Sequence, residues 1–217
     1  MNPKNIILIS DPRVLAVPIH EGGNEMFDLR NSEELKVDDR KKQDSDFYFL
    51  VRSVVAQKLV EAKKLLPKDI AFLIIEGYRP LSLQKKYFDA YSQELKTSHQ
   101  DWDEKHIYEE ASKFVAPPDI IPPHSTGGAI DLTLVDSNGK ELDMGTPVNA
   151  DPEESKNKCF MQSEDISTQA KQNRKILADA LLKLGFINYP TEWWHWSYGD
   201  RYWAYCTNQD GALFGLQ

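Results

Sequence analysis

Apolar residues recur at helical spacing over four stretches of this sequence, and they form continuous or alternating runs in three others. Helices are predicted over residues 47–66, 81–95, 104–115 and 167–184. Strands are predicted over Ile70–Glu76, over 129–135 and within 186–198. An Asn-Gly pair within residues 137–140 is a hairpin signal, so the chain is expected to turn back after the second strand. Helices interspersed with such a sheet predict the α+β class, with a mainly antiparallel sheet and flanking helices.

Signals at the ends of these segments support the predicted boundaries. Pro67 follows the first helix, and a residue without a backbone N–H ends helical hydrogen bonding. Ser167 is a suitable N-cap for the last helix, and Gly185 is a suitable stop. Residues 31–46 are the most charged stretch and are expected to form a solvated loop. No repeat or linker divides the chain, so a single domain spanning 1–217 is predicted.

Composition narrows the classes of function. Apolar residues make up 41% of the 217 residues and charged residues 28%, which is typical of a globular protein and excludes wholesale disorder. The net charge of -8 offers no positive footprint for a phosphate backbone, so nucleic-acid binding is not expected. No apolar run approaches the roughly 20 residues that span a bilayer. Cys159 and Cys206 are too few for a disulfide framework and are expected to be free thiols.

The first residues of the chain carry no recognisable export signal. The apolar stretch 6–9 is short, whereas a signal peptide has about 7–15 apolar residues and a small-residue cleavage site. The chain as given is therefore expected in the cytoplasm, or in the periplasm if a leader has been removed.

The first candidate for chemistry is a histidine and an aspartate separated by six residues. His124 follows two prolines, and Asp131 comes after Gly127 and Gly128 at the start of a predicted strand. Imidazole and carboxylate groups are common zinc ligands, and glycines let the backbone fold tightly around an ion. A buried histidine hydrogen-bonded to a nearby aspartate gives the same pattern, so the spacing alone leaves both interpretations open.

The second candidate is the pair Glu192 and His195, separated by two tryptophans and followed by a third. A zinc hydrolase needs a further protein ligand and a carboxylate that accepts the proton of a metal-activated water. An aromatic core cluster around a hydrogen-bonded histidine is the alternative interpretation. Together with His124 and Asp131, His195 would supply three ligands and leave a fourth position open, as in catalytic zinc sites.

The third candidate is Arg79, which lies between a predicted strand and Pro80. Proline holds the preceding residue in an extended conformation, so the guanidinium is expected to project from the rim of the sheet. A fixed positive charge there would stabilise a developing oxyanion. An ion pair with Glu76 is the alternative interpretation of the same residue.

The three motifs, in this order, resemble the D-alanyl-D-alanine dipeptidases of peptidase family M15. The resemblance extends from the Asp28 region to His195, and it is carried by Gly77-Tyr78-Arg79-Pro80, His124-x6-Asp131 with Gly127 and Ala129, and Glu192-Trp193-Trp194-His195. This family belongs to a zinc peptidase superfamily with D-alanyl-D-alanine carboxypeptidases, lysostaphin-like enzymes and the hedgehog domain. The resemblance therefore implies a hedgehog-like, D-Ala-D-Ala-peptidase-like α+β fold.

The resemblance also implies one zinc ion per chain and a role for each candidate residue. His124, Asp131 and His195 match the family's zinc ligands. Glu192 matches the general base that takes a proton from water and later delivers it to the leaving amine. Arg79 matches the arginine that stabilises the tetrahedral intermediate. The implied activity is zinc-dependent hydrolysis of D-alanyl-D-alanine, or of a closely related small dipeptide, in peptidoglycan metabolism.

Two positions depart from the family pattern, and both concern substrate recognition. Pro122 stands where the family usually has a serine, two residues before the first zinc histidine. Asn149 is the predicted substrate-binding residue, and it stands where dipeptidases of vancomycin resistance have an aspartate that holds the substrate ammonium group. Asp151, Glu153 and Glu154 are alternative sources of that negative charge, and the sequence does not choose among them.

Two other functions compete with the dipeptidase. A D,D-carboxypeptidase of the same fold would trim terminal D-alanine from longer cell-wall peptides. A non-catalytic zinc-binding recognition domain would have no need of Glu192 and Arg79 beside an open metal position. The discriminating property is whether cleavage requires a free amino group immediately before the scissile residue.

Overall fold

The computed structural model describes residues 6–20, 22–23 and 25–217. Residues 1–5, which begin the predicted domain 1–217 and the segment searched for an export signal, lie outside this description. The helices are α1 (Pro12–Leu15), α2 (Ser53–Lys63), α3 (Leu81–Ser98), α4 (Glu104–Ala111), α5 (Thr168–Lys183) and α6 (Arg201–Cys206). The strands are β1 (Met26–Asp28), β2 (Lys36–Val37), β3 (Leu50–Arg52), β4 (Ile70–Glu76), β5 (Ala129–Asp136), β6 (Ile187–Asn188) and β7 (His195–Ser197).

Five of the strands form the central sheet, in the order β2-β4-β5-β7-β6. The pairs β4–β5, β5–β7 and β6–β7 are antiparallel, whereas the edge strand β2 runs parallel to β4. Strands β1 and β3 form a separate antiparallel pair. The prediction of an α+β fold with a mainly antiparallel sheet and flanking helices is confirmed.

The main hydrophobic core joins the central sheet to α2 and α5. Its fully buried residues include Leu59 in α2, Phe72 in β4, Leu132 in β5 and Leu177 in α5. A smaller cluster joins α3 to α4, and its buried residues are Phe88, Leu95, Ile107 and Ala111. The helical pair α3–α4 is thus held by its own apolar contacts, beside the sheet rather than within the main core.

The structure also bears on membrane-spanning helices and on the two cysteines. Within the described ranges, none of the helices combines the length and the apolar character that crossing a bilayer requires. Cys159 is buried and Cys206 is exposed, and both are free thiols, as predicted.

Several elements form where local signals predict them. Strand β4 has the predicted bounds, and α3 begins at the predicted Leu81. The Ser167 hydroxyl accepts a hydrogen bond from the Ala170 N–H at 2.9 Å, which is the predicted cap of α5. Gly185 follows this helix with φ of 84°, the left-handed conformation in which glycine ends helices.

Two other predictions are wrong, because pairing partners distant in sequence decide the outcome. The helix predicted over 47–66 begins only at Ser53, since Leu50–Arg52 pairs with β1 as strand β3. The stretch 31–46, predicted as a solvated loop, contains strand β2, which pairs with β4. The prediction of strands within 186–198 is confirmed, since the region contains two short strands, β6 and β7, that pair with each other across a turn.

Two predicted elements are shorter in the structure than expected. The helix predicted over 104–115 ends at Ala111. The turn after β5 forms with Gly139 at φ of 81°, but the returning chain makes a single bridge, from Glu141 to Val135, rather than a long hairpin.

Leu177 and Leu182 lie on the same helix, α5, in opposite environments. Leu177 is fully buried in the main core, whereas Leu182 is 51% exposed. We expect Leu177→Ala to lower the free energy of unfolding by about 2–5 kcal/mol, because the truncation leaves a cavity. Leu182→Ala should change it by less than about 0.5 kcal/mol. Urea unfolding followed by circular dichroism measures both values, and equal losses would contradict this packing of α5.

Candidate metal centre and active site

The register of three neighbouring strands brings acidic and imidazole side chains together. In the β5–β7 pair, Asp131 lies directly opposite His195. In the β4–β5 pair, Asp131 lies opposite Glu76, after a register shift between Ile74 and Glu76. Directly opposed residues share one face of a sheet. Glu76, Asp131 and His195 therefore form a row across the central sheet.

His124 approaches this row from a short 3₁₀ turn, Pro123–Thr126, that precedes β5. Pro122 is the N-cap of the turn, in extended backbone conformation. Gly127 ends the turn in the left-handed conformation, with φ of 73°. The His124 Nδ1 atom donates to the Gly77 carbonyl oxygen at 2.7 Å, and this bond fixes the orientation of the ring.

Three buried ligand atoms converge at this point: Nε2 of His124, Oδ1 of Asp131 and Nδ1 of His195. The two nitrogens are 3.1 Å apart, and Oδ1 lies 3.1 Å from the His195 nitrogen and 3.3 Å from the His124 nitrogen. A tetrahedral zinc ion with ligands at about 2.0–2.1 Å holds its ligand atoms about 3.3–3.4 Å apart. The donor set therefore fits one zinc ion.

The protonation of these groups also favours a cation. A carbonyl oxygen can only accept, so His124 carries its proton on Nδ1 and presents a lone pair at Nε2. Burial by itself raises the pKa of Asp131, but interaction with His124 and His195 outweighs burial and holds this pKa well below its usual range. Asp131 is thus an anionic group facing imidazole nitrogens, as a zinc site with open coordination requires.

Glu192 lies beside the ligand atoms. Its Oε2 atom is 3.9 Å from His195 Nδ1, and its side chain is 14% exposed. Burial raises the pKa of Glu192 to about 7; Asp131 adds to the increase, and His195 and Arg79 oppose it. A carboxyl group with a pKa near neutrality can both accept and release a proton at physiological pH, which general acid–base catalysis requires.

The backbone around Glu192 is held by the turn between β6 and β7 and by a neighbouring loop. The Glu192 N–H donates to the Tyr189 carbonyl at 3.0 Å. The Trp193 N–H donates to the Cys159 carbonyl at 3.0 Å, and its indole N–H donates to the Thr146 hydroxyl at 2.8 Å. Both interpretations of the Trp-rich motif therefore apply: the tryptophans pack in the core, and the polar pair faces the ligand set.

Arg79 lies three residues after the end of β4, and its guanidinium forms the ion pair considered as the alternative. Its Nε and Nη2 atoms donate to the two carboxylate oxygens of Glu76, each at 2.7 Å, and Nη1 donates to Gln84 Oε1 at 2.9 Å. Burial by itself lowers the pKa of Arg79, but Glu76 outweighs burial and raises this pKa above its usual value. The side chain is therefore a fixed, charged group that also lines the cavity described next.

A cavity of about 380 Å³ opens onto the ligand set. Every predicted site residue lines it, and these residues are Arg79, His124, Asp131, Asn149, Glu192 and His195. Asp151 also lines the cavity, whereas Glu153 and Glu154 are exposed and do not contribute to its walls. The structure thus distinguishes among the three acids that the sequence left equivalent.

Three residues of α3 that the sequence motifs did not indicate complete the wall of the cavity. Gln84 is buried, and its amide bridges Arg79 Nη1 and the Ala116 carbonyl. The ring of Tyr87 lies 4.9 Å from the Arg79 guanidinium carbon, and Tyr91 neighbours Asp151. Positions 84, 87 and 91 share one face of α3. Their helical spacing, shortly after the Arg79 motif, could have predicted that they lie beside Arg79.

Most of the chain matches one protein family. A family model described as Peptidase M15, D-ala-D-ala dipeptidase, matches residues 35–210. The chain belongs to this family. It is a zinc metallopeptidase, a hydrolase that carries out zinc-dependent hydrolysis of D-alanyl-D-alanine, and its His124, Asp131 and His195 side chains form a set of the kind that holds a metal ion.

Individual relatives carry the same description. The D-alanyl-D-alanine dipeptidase of Synechocystis sp. (strain ATCC 27184 / PCC 6803 / Kazusa) is 28% identical over 90% of either chain. That of Enterococcus faecium is 30% identical over 68% of this chain and 72% of its own. Similar solved structures include the vancomycin resistance D,D-pentapeptidase VanY in complex with Zn(II), which is 16% identical with a TM-score of 0.49 over 93% of this chain and 96% of its own. The LdcB LD-carboxypeptidase is 20% identical with a TM-score of 0.47, over 88% and 76%.

Removal of any one ligand should release the metal, because two protein donors are fewer than catalytic zinc sites use. We expect His124→Ala, Asp131→Ala and His195→Ala each to lose zinc and activity together. His106→Ala is the matched control, since His106 is exposed on α4, and it should keep one zinc ion per chain. Elemental analysis of the purified proteins measures the metal, and full zinc content in any of the three variants would refute the assignment of that ligand.

Proposed function

We propose that this chain cleaves the free dipeptide D-alanyl-D-alanine, with residues 1–217 acting as one catalytic domain. In this proposal, His124, Asp131 and His195 hold the zinc ion and Glu192 is the general base. The observation that carries the proposal is the convergence of three ligand atoms, 3.1–3.3 Å apart, beside a carboxyl group with a pKa of about 7. Three protein ligands leave a coordination position for the reaction, as in catalytic rather than structural zinc sites.

Glu192 serves as the proton carrier of the reaction. Zinc, when bound, polarises the scissile carbonyl group and lowers the pKa of water. Glu192 accepts the proton of the attacking water on its carboxylate and then delivers it to the leaving amine. Both steps are favoured because burial raises the pKa of this carboxyl group to about 7. The ligand His195 is 3.9 Å away, which keeps the carboxylate close to the metal position.

Arg79 stabilises the negative charge that develops on the carbonyl oxygen. A guanidinium has five N–H donors, and Arg79 directs three of them at Glu76 and Gln84. In the described part of the chain, one N–H on each terminal nitrogen is left for a group in the cavity. Glu76 and Gln84 hold the fork in place before substrate arrives, so its donors need no reorganisation during the reaction.

Asp151 supplies the negative charge that pairs with the substrate ammonium group. Asn149, at the position of the family aspartate, is neutral and lines the cavity with φ of 61°. Asp151 follows two residues later and lines the same wall. Burial raises the pKa of the neighbouring Tyr91, and the Asp151 carboxylate adds to the increase. Asp151 therefore lies close to Tyr91 of α3, which also lines the cavity. Asn149 then binds as a neutral hydrogen-bonding group.

The size of the cavity favours a small substrate. Pockets for small molecules are about 300–1,000 Å³, and the cavity of about 380 Å³ is at the lower end of that range. A dipeptide would fit a cavity of this size, whereas an extended cell-wall peptide needs space beyond it. Cleavage of longer peptides would identify the carboxypeptidase alternative.

Loss of the general base should separate metal binding from turnover. We expect Glu192→Gln to keep one zinc ion per chain and to lower kcat by about 100-fold or more, because an amide cannot accept the proton of water. Glu104→Gln, at an exposed position on α4, is the control and should keep both properties. Release of D-alanine and zinc content are measured on the same preparations. A near-normal kcat in Glu192→Gln would mean that another group is the base.

The requirement for a free amino group tests the substrate assignment. We expect kcat/KM for D-alanyl-D-alanine to exceed that for its N-acetyl derivative by about 10–100-fold, the range for a hydrogen-bonded charged group that loses its partner. Asp151→Asn should reduce this ratio, and Glu153→Gln should leave it unchanged, since Glu153 does not line the cavity. Equal or better cleavage of the N-acetyl derivative or of a D-Ala-D-Ala-ending pentapeptide would favour the carboxypeptidase.

A further inference from the structure

Arg174 is a buried arginine on α5 that lies outside the cavity. It is 2% exposed, and among the described residues no carboxylate forms an ion pair with it. Burial lowers the pKa of Arg174 to about 10, and Cys159 and Asp143 only partly oppose this effect. A charged group in such a place is costly unless its donors are satisfied. The groups that accept hydrogen bonds from Arg174 therefore indicate its role.

All three nitrogens of Arg174 donate to backbone carbonyl groups of a single loop. Nε donates to the Met144 carbonyl at 2.8 Å, Nη1 to the Phe160 carbonyl at 2.6 Å, and Nη2 to the Lys158 carbonyl at 2.8 Å. The planar guanidinium fork fixes the relative positions of its acceptors, which a single ammonium group cannot do. Arg174 thus ties the start of the loop to its end.

This loop carries one wall of the cavity. Residues 143–166 contain no helix or strand, which is unusual for a connection of this length and is typical of functional loops. Asn149 and Asp151 lie between the two points that Arg174 holds. The same loop accepts two hydrogen bonds from Trp193. The backbone N–H donates to the Cys159 carbonyl, and the indole N–H donates to the Thr146 hydroxyl. The loop is therefore also in contact with the segment that carries Glu192.

We infer that Arg174 is a positioning residue that sets the shape of the substrate-binding wall by clamping the 144–160 loop. This inference rests on the proposed function for its substrate readout. An apolar side chain would fill the same volume without a buried charge, but it would leave the Met144 and Lys158 carbonyls without donors and the Phe160 carbonyl with only the Ser163 N–H, at 2.9 Å. The metal ligands lie on β5, β7 and the 3₁₀ turn, so loosening the loop leaves the zinc site intact.

The test compares Arg174→Lys and Arg174→Met with Leu177→Ala in the zinc-loaded, full-length protein. Arg174→Lys keeps the charge but cannot bridge three acceptors, and Arg174→Met removes every donor. We expect both to keep one zinc ion per chain, to raise KM for D-alanyl-D-alanine by about tenfold or more, and to lose discrimination against its N-acetyl derivative. The change in KM should exceed the change in kcat, and Arg174→Lys should lie between the wild type and Arg174→Met.

Leu177→Ala controls for simple destabilisation, since Leu177 is buried on the same helix, does not line the cavity and has no side-chain donor for the loop carbonyls. It should keep the wild-type KM at temperatures below its unfolding. Hydrogen exchange of residues 145–158 gives a readout that needs no substrate: both Arg174 variants should exchange faster in this segment, and Leu177→Ala should not. If the wild type fails to cleave D-alanyl-D-alanine, the proposed function is wrong, and hydrogen exchange still decides the role of Arg174.

Three results would overturn the inference. The first is unchanged hydrogen exchange of the loop in the folded Arg174 variants, and the second is an equal acceleration of that exchange in Leu177→Ala. The third is failure of both Arg174 variants to fold at 10 °C or below while Leu177→Ala folds, because Arg174 would then support the whole fold rather than one wall. If only Arg174→Met fails to fold, Arg174→Lys decides the outcome.

Discussion

The active site depends on the register of β4, β5 and β7. Side chains alternate between the two faces of a strand, so a slip of one residue in β5 would replace Asp131 on the site face with an apolar neighbour. The register shift next to Glu76 has a similar consequence in β4, because it places a carboxylate rather than Ile75 opposite Asp131. One sheet thereby holds a candidate metal ligand, the histidine opposite it and the acid that anchors Arg79.

The buried carboxyl groups around this row have different pKa values because their environments differ. Interaction with the two imidazoles holds the pKa of Asp131 low against the effect of burial, whereas burial raises the pKa of Glu192 to about 7. Burial also acts on Glu76, but Arg79 outweighs it and lowers the pKa of Glu76. Carboxyl groups a few ångströms apart are thus suited to different tasks: binding a cation, transferring a proton and orienting a guanidinium.

Elements stabilised by neighbouring residues could be predicted from the sequence. Helix α5 has its cap at Ser167 and its stop at Gly185, and β4 is an unbroken apolar run, so their bounds were predicted correctly. The candidate ligands and base were also identified from motif spacing and family resemblance, since each pair is closely spaced along the chain. Spacing could not separate a zinc site from a hydrogen-bonded His–Asp pair, because both place the same two residues together.

Local sequence therefore determined the capped helices, the apolar strand and the list of reactive residues, whereas only the tertiary structure decided how they meet. Leu50–Arg52 is a strand because β1 lies beside it, and the helical periodicity of its own segment does not contain that information. Asp151 rather than Glu153 lines the cavity, in a loop whose Met144 and Lys158 carbonyls accept hydrogen bonds from Arg174 of α5. Arg79 is both ion-paired and part of the cavity wall, and Glu76 and Gln84 hold opposite sides of its fork. In the first two cases the partners come from distant parts of the chain, and in all three their geometry is set by sheet register and loop closure, which depend on the whole fold.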